Sequence, residues 1–109
     1  MSPVREITAT QLAAALKGPN PPLLVDVRTP HEHDLAAIKP CVLLPLHEIE
    51  ERASELDEHK GRPVVVYCHL GVRSLDGAAY LRSLGHDAVS LEGGIEAWSC
   101  EIDPRVPRY

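Results

Sequence analysis

The run Pro63-Val64-Val65-Val66-Tyr67 constrains the fold of this chain more than any other stretch. Three valines in a row, closed by a tyrosine, favour extended backbone, because branched and aromatic side chains fit a pleated surface better than a helix. A strand apolar on both of its alternating faces must be covered on both, which is the situation of strands in sheets flanked by helices. Leu23-Leu24-Val25-Asp26-Val27 repeats the pattern with one acidic interruption. Cys41-Val42-Leu43-Leu44, ended by Pro45, and Ala88-Val89-Ser90-Leu91 read as two more strands.

Helical signals lie between these runs. Thr8 and Gln11 form a capping box opening a helix through Leu16, which Gly18-Pro19 stops, and Thr29 with Glu32 forms a second box with Pro30 at the first helical position. Leu46, Ile49, Ala53 and Leu56 recur at spacings of three, four and three with Glu48, Glu50, Glu51 and Glu55 opposite, which predicts an amphipathic surface helix. A further helix carries Leu75, Ala78, Ala79 and Leu84 inward and stops at Gly85, and Gly93-Gly94 turns into a short one around Ile95 and Trp98. Strands alternating with helices predict an α/β fold, a three-layer α/β/α domain around a mostly parallel sheet.

At 109 residues the chain has the size of one domain, expected to span 1–109. A net charge of −5 argues against nucleic acid or an anionic membrane as partner, since both need clustered Lys and Arg. The start, Met1 to Glu6, has no apolar stretch suited to a secretory signal. Cys41, Cys68 and Cys100 are odd in number and widely spaced, so free thiols in a reducing, cytoplasmic compartment are expected rather than a disulfide framework. No metal site or cofactor is indicated, because zinc needs closely paired Cys or His ligands. His31, His33, His47, His59 and His86 read as solvated surface, Cys41 as core and Cys100 as an exposed, inert thiol.

The segment Cys68-His69-Leu70-Gly71-Val72-Arg73-Ser74 carries the chemistry. It lies beyond the carboxyl end of the best strand and just before a helix, where open α/β sheets bind ligands. There the thiol faces the free N–H groups of Leu70 through Ser74 and the positive end of a helix dipole. Successive N–H groups in a curled loop form an anion nest, Gly71 permits the turn, and Arg73 adds a cation suited to oxyanions. Each favours thiolate over thiol, so Cys68 is the expected nucleophile, with a lowered pKa.

The chain resembles a single-domain rhodanese, a sulfurtransferase family whose loop Cys-x-x-Gly-x-Arg-Ser/Ala matches Cys68 to Ser74. The resemblance covers nearly the whole sequence. Leu24 to Arg28 followed by Pro30, Glu32 and His33 is similar to the family's Asp-Val-Arg and downstream Glu-Tyr/Phe signature, Val64 to Cys68 to its central strand, and Leu91 to Trp98 to its Gly-Gly-x-x-x-Trp signature. The family's usual Gly-His-Ile-Pro-Gly-Ala is replaced by Ala36 to Cys41, with only Ile38 kept, which puts local geometry there in doubt.

The resemblance implies a rhodanese-like fold and two-step sulfur transfer. The Cys68 thiolate takes sulfur from thiosulfate or another small anionic donor, and the resulting persulfide passes it to cyanide or a cellular thiol. Arg73 is expected to bind the donor's oxyanion, His69 to stand at the mouth, Asp26 and Arg28 to brace the loop, Ile95 and Trp98 to be core or pocket wall, and Ser74 to cap the helix. An alternative acceptor is a small sulfur-carrier protein. The tail Glu101 to Tyr109 looks like that of rhodanese domains fused behind enzymes that activate ubiquitin-like proteins; packing of the tail across the domain is the plain alternative. A phosphatase or arsenate reductase of the same fold is a weaker reading, since those use five residues between Cys and Arg and this loop has four. An inert binding module is disfavoured by the presence of Cys68 and Arg73.

Overall fold

The computed structural model describes residues 4–109; Met1, Ser2 and Pro3, part of the stretch read above for a secretory signal, lie outside them. The element order is β1 (Glu6–Ile7), α1 (Ala9–Leu16), β2 (Leu23–Asp26), α2 (Pro30–Leu35), β3 (Val42–Leu43), α3 (Ile49–Arg52), β4 (Pro63–Tyr67), α4 (Arg73–Ser83), β5 (Asp87–Leu91) and α5 (Gly94–Glu101). The sheet runs β1-β5-β4-β2-β3, and all four pairings are parallel, so the expected α/β class holds. β1 was not foreseen, because two residues at a sheet edge leave no periodic signal.

The two-residue period of β2 and β4 divides the core into two layers. Val64, Val66 and Cys68, with Leu23, Val25 and Val27, face α3 and α4 and pack on Ile49, Leu56, Ala78 and Leu81. Val65, Tyr67 and Leu24 face the other way onto Leu12, Leu91, Ile95 and Trp98. Both capping boxes form: Thr8 and Thr29 each accept from the third helical amide, and Gln11 and Glu32 reach back to their backbones.

Three expectations need correction. The helix predicted over Leu46 to Leu56 is broken into a 3₁₀ turn (Leu46–Glu48), α3, and a second 3₁₀ stretch (Ala53–His59). Neither of its first two segments has a side-chain cap, and apolar residues three apart fit the tighter 3₁₀ turn, where i and i+3 eclipse. In α4 the inward residues are Gly77, Ala78 and Leu81, whereas Ala79 and Leu84 are exposed. His86 is buried, with neither ring nitrogen hydrogen-bonded, and His33 is half-buried against Asp26; neither is free surface.

Candidate active site

From β2 the chain moves outward to β3, and from β4 it moves the opposite way to β5. The loops after β2 and β4 therefore diverge and leave a crevice at the carboxyl ends of the strands, the usual ligand position in such sheets. Cys68 stands on one side of that crevice; Arg28 and Glu32 stand on the other.

Strand alternation turns the Cys68 side chain under the N-terminus of α4. The sulfur accepts from the amides of Gly71 at 3.1 Å and Ser74 at 3.4 Å, and the thiol lies 3.3 Å from Ser74 Oγ. Ser74 Oγ is in turn 2.8 Å from Ser90 Oγ on β5. Of the amides expected around the sulfur, these two make hydrogen bonds. Ser74 is not the cap of α4: it sits inside the first turn, and Val72 occupies the cap position without a side-chain bond.

The back of the loop is held by α5. Ile95 N donates to Cys68 O at 2.9 Å and Glu96 N to His69 O at 3.1 Å, so the carbonyls point toward α5 while amides are left to turn toward the sulfur. This close approach explains the double glycine. A Cβ on Gly94 would overlap the carbonyl oxygens of Cys68 and His69, and a Cβ on Gly71, at φ +95°, would lie 2.9 Å from Gly93 N.

Arg73 has a partner that the sequence reading missed. Its two terminal nitrogens donate to the two carboxylate oxygens of Glu32 at 2.6 and 2.8 Å, and Tyr109 Oη donates to Glu32 Oε2 at 2.8 Å. Arg73 beside it, with help from Tyr109, holds the Glu32 carboxyl well below the usual carboxylate range. Asp26 and Arg28 form a fully buried pair, with Arg28 Nε and Nη2 donating to the two Asp26 oxygens at 2.9 and 2.8 Å. Their remaining bonds run to Ala36 O, Glu32 O, Tyr109 Oη and His33 Nδ1, so they brace the segment after β2 rather than the Cys68 loop itself.

His69 stacks on Tyr109, ring centroids 4.0 Å apart, beside a cavity of about 330 Å³ lined also by Leu70, Glu96 and Arg108. Leu70 and Val72 are exposed at the rim, and Ile95 and Trp98 are core. Tail residues thus reach the site, which their sequence did not announce. Cys41 is half-buried under the Tyr67 hydroxyl, and burial pushes its thiol up; Cys100 is exposed. Asp26, His33 and Cys41 bring possible metal-ligand atoms within 4.8 Å of one another, but Arg28 already fills both Asp26 oxygens and would repel a cation.

A strand-end cysteine in a nest of amides, at the switch point of a parallel sheet, is an arrangement that stabilises negative charge on one sulfur. Residues 8–101 match the rhodanese-like domain family. A sulfurtransferase of Allochromatium vinosum is 42% identical over 97 residues, covering 88% of this chain and 89% of its own. The adenylyltransferase and sulfurtransferase MOCS3-2 of Zea mays is 36% identical over 82% of this chain, which spans only 20% of that longer protein. The crystal structure of a rhodanese-like domain protein from Staphylococcus aureus, 31% identical, superposes with a TM-score of 0.82 over 96% of this chain and 98% of its own. The chain belongs to the rhodanese-like sulfurtransferase family. Among its described residues no helix is long and apolar enough to cross a membrane.

Proposed function

We propose that this protein moves sulfane sulfur through a persulfide on Cys68. The observation that carries the reading is the Cys68 sulfur accepting from the Gly71 and Ser74 amides, an arrangement that stabilises negative charge on one sulfur and equally on the outer sulfur of a persulfide. With thiosulfate as donor, the thiolate attacks the outer sulfur, a sulfur–sulfur bond forms on Cys68, and the donor's own sulfur–sulfur bond breaks to release sulfite. Cyanide then attacks the outer sulfur of the persulfide anion, leaving as thiocyanate and restoring the thiolate; a cellular thiol removes sulfur in the same way.

Arg73 keeps three N–H groups beyond the two given to Glu32, and these are the donors to the oxyanion end of thiosulfate or departing sulfite. Leu70, Gly71 and Val72 shape the rim, and His69 stands beside the mouth. Asp26 and Arg28 support Glu32 from below. Three free thiols fit a reducing, cytoplasmic setting.

A relay to a small sulfur-carrier protein is the second reading. It is favoured by the similarity to a longer protein named as both adenylyltransferase and sulfurtransferase.

The deciding experiment is intact-mass measurement after thiosulfate treatment. A gain of one sulfur that cyanide removes, and that Cys68→Ala lacks, supports the proposal. A gain carried on Cys41 or Cys100, or phosphate release from an aryl phosphate that Cys68→Ser abolishes, overturns it. Faster transfer to a carrier-protein acyl-adenylate than to cyanide selects the relay.

A further inference from the structure

We propose that Glu32 is a specificity-determining residue: by neutralising Arg73 it turns the Cys68 site away from dianionic sulfur donors such as thiosulfate and toward a thiol-borne persulfide, whose sulfurs carry at most one charge and which reacts in its protonated form. The proposal rests on the sulfur-transfer reading. Its basis is the charge balance of the crevice. Arg73 is paired end-on with Glu32, Arg28 with Asp26, and Arg108 with Glu96 at 2.6 Å, so each arginine around the loop faces its own carboxylate. The Glu32 side chain is only 16% exposed and also accepts from Tyr109 Oη and from Thr29, so the compensation is fixed in place rather than left to a waving surface carboxylate. Arg73 holds its proton more tightly than usual, chiefly through Glu32, and the Cys68 sulfur adds to the effect, so the two groups sense each other's charge.

A thiolate attacking thiosulfate brings three negative charges together. With the Arg73 charge offset by Glu32, the N–H groups it keeps and the loop amides meet that repulsion as neutral donors, without a net positive charge. A persulfide R–S–SH avoids it: the Cys68 thiolate attacks the outer sulfur, the donor's sulfur–sulfur bond breaks, R–S⁻ leaves with the electron pair, and Cys68–S–SH carries the proton. The exposed Leu70 and Val72 at the rim favour an uncharged approach in the same direction.

Glu32→Gln tests this. Glutamine serves a capping box as well as glutamate and keeps one oxygen to accept from Arg73, but its amide nitrogen cannot accept the second Arg73 N–H or the Tyr109 hydroxyl, so the change removes the charge and one arm of the fork. Alkylation of Cys68 is followed by peptide mass with iodoacetate, an anion, and iodoacetamide, its neutral counterpart. The iodoacetate-to-iodoacetamide rate ratio is expected to rise roughly three- to tenfold in E32Q, the effect of one uncompensated charge a few ångströms away. The kcat/KM for thiosulfate rises by a similar factor relative to that for an alkyl persulfide. Adding Arg73→Met removes both gains. An unchanged or lowered ratio in E32Q overturns the proposal, as does a gain that survives the loss of Arg73.

If E32Q lacks native near-ultraviolet dichroism, the wild-type chain decides. A ratio that stays flat or rises with added salt supports a compensated site, and a threefold fall marks free positive charge and overturns it. Alkylation requires no sulfur transfer. A chain that alkylates as expected yet takes up no sulfur from any donor therefore refutes the sulfurtransferase reading and the donor assignment with it. Intact transfer with no ratio change refutes the role of Glu32 alone.

Discussion

The amide of Ile95 donates to the carbonyl oxygen of Cys68 at 2.9 Å, tying the first turn of α5 directly to the residue that carries the proposed nucleophilic sulfur. The contact requires Gly94 to lie flat against the loop, at φ +60°, with no room for a side chain. Gly94→Ala must therefore push Cys68 and His69 away from α5 or give up the left-handed turn. A loss of about 2–3 kcal/mol in urea unfolding is expected, together with a fall in Cys68 alkylation rate as the amides lose their aim. Ala at this position with unchanged stability would show that the loop is not seated on α5.

The Ser74 amide donates to the Cys68 sulfur, while the Ser74 hydroxyl accepts from the thiol, can donate once the thiol is ionised, and is shared with Ser90. Ser74→Ala keeps the amide and removes the hydroxyl. Turnover should fall roughly ten- to a hundredfold, as one hydrogen bond to a charged group is lost. Stability should also fall, because Ser90 is left buried and unpaired; the double variant with Ser90→Ala should be no less stable than Ser74→Ala alone, since both partners are then gone. Steady-state rates and urea midpoints of the three proteins check the pattern.

Most of this site was legible in the sequence for a local reason. Cys68, Gly71 and Ser74 lie within seven consecutive residues that run from the end of β4 into the first turn of α4, and both signals are written in those residues. The capping boxes were legible in the same way. Glu32 was visible as the last member of such a box, but nothing in Thr29-Pro30-His31-Glu32 says that its carboxylate also meets Arg73, because that contact depends on the strand order placing β2 beside β4. Tyr109 was invisible for the same reason: its hydroxyl between Arg28 and Glu32 depends on where the tail crosses the domain. The broken helix around α3 shows the converse limit, since apolar spacing gives the buried face but not the pitch of the backbone that presents it.

The Asp26–Arg28 pair is fully buried, and the Asp26 carboxylate also takes the Arg28 amide and His33. Removing one partner strands a charge. Asp26→Asn is expected to cost about 3–5 kcal/mol by leaving Arg28 without its counterion, whereas replacing both, as Asp26→Leu with Arg28→Met, should recover at least half of that loss. Chemical denaturation of the two variants gives the comparison directly. A single variant costing less than about 1 kcal/mol would mean the pair contributes nothing that solvent does not replace.

Stability should respond to pH in two separate windows. Burial holds the His86 imidazole below its ordinary pKa of 6.5, with Lys60 and His59 acting in the same direction and Asp57 against it. The unfolded chain then takes up a proton near pH 6.5 that the folded chain still refuses, so stability is full above that pH and falls as pH drops through it, by at most about 1.4 kcal/mol per pH unit. Glu32 acts lower. Its carboxyl is depressed by Arg73, so its contribution is complete above the ordinary value of 4.5 and is lost progressively as pH falls below it. His86→Leu should flatten the upper window and leave the lower one, and Glu32→Gln should leave the upper one and shrink the lower, to which Glu55, Glu96 and Asp103 also contribute through their own arginines. Urea titrations from pH 7.5 down to 3.5 separate the two, and an upper window that persists in His86→Leu would assign it to another group.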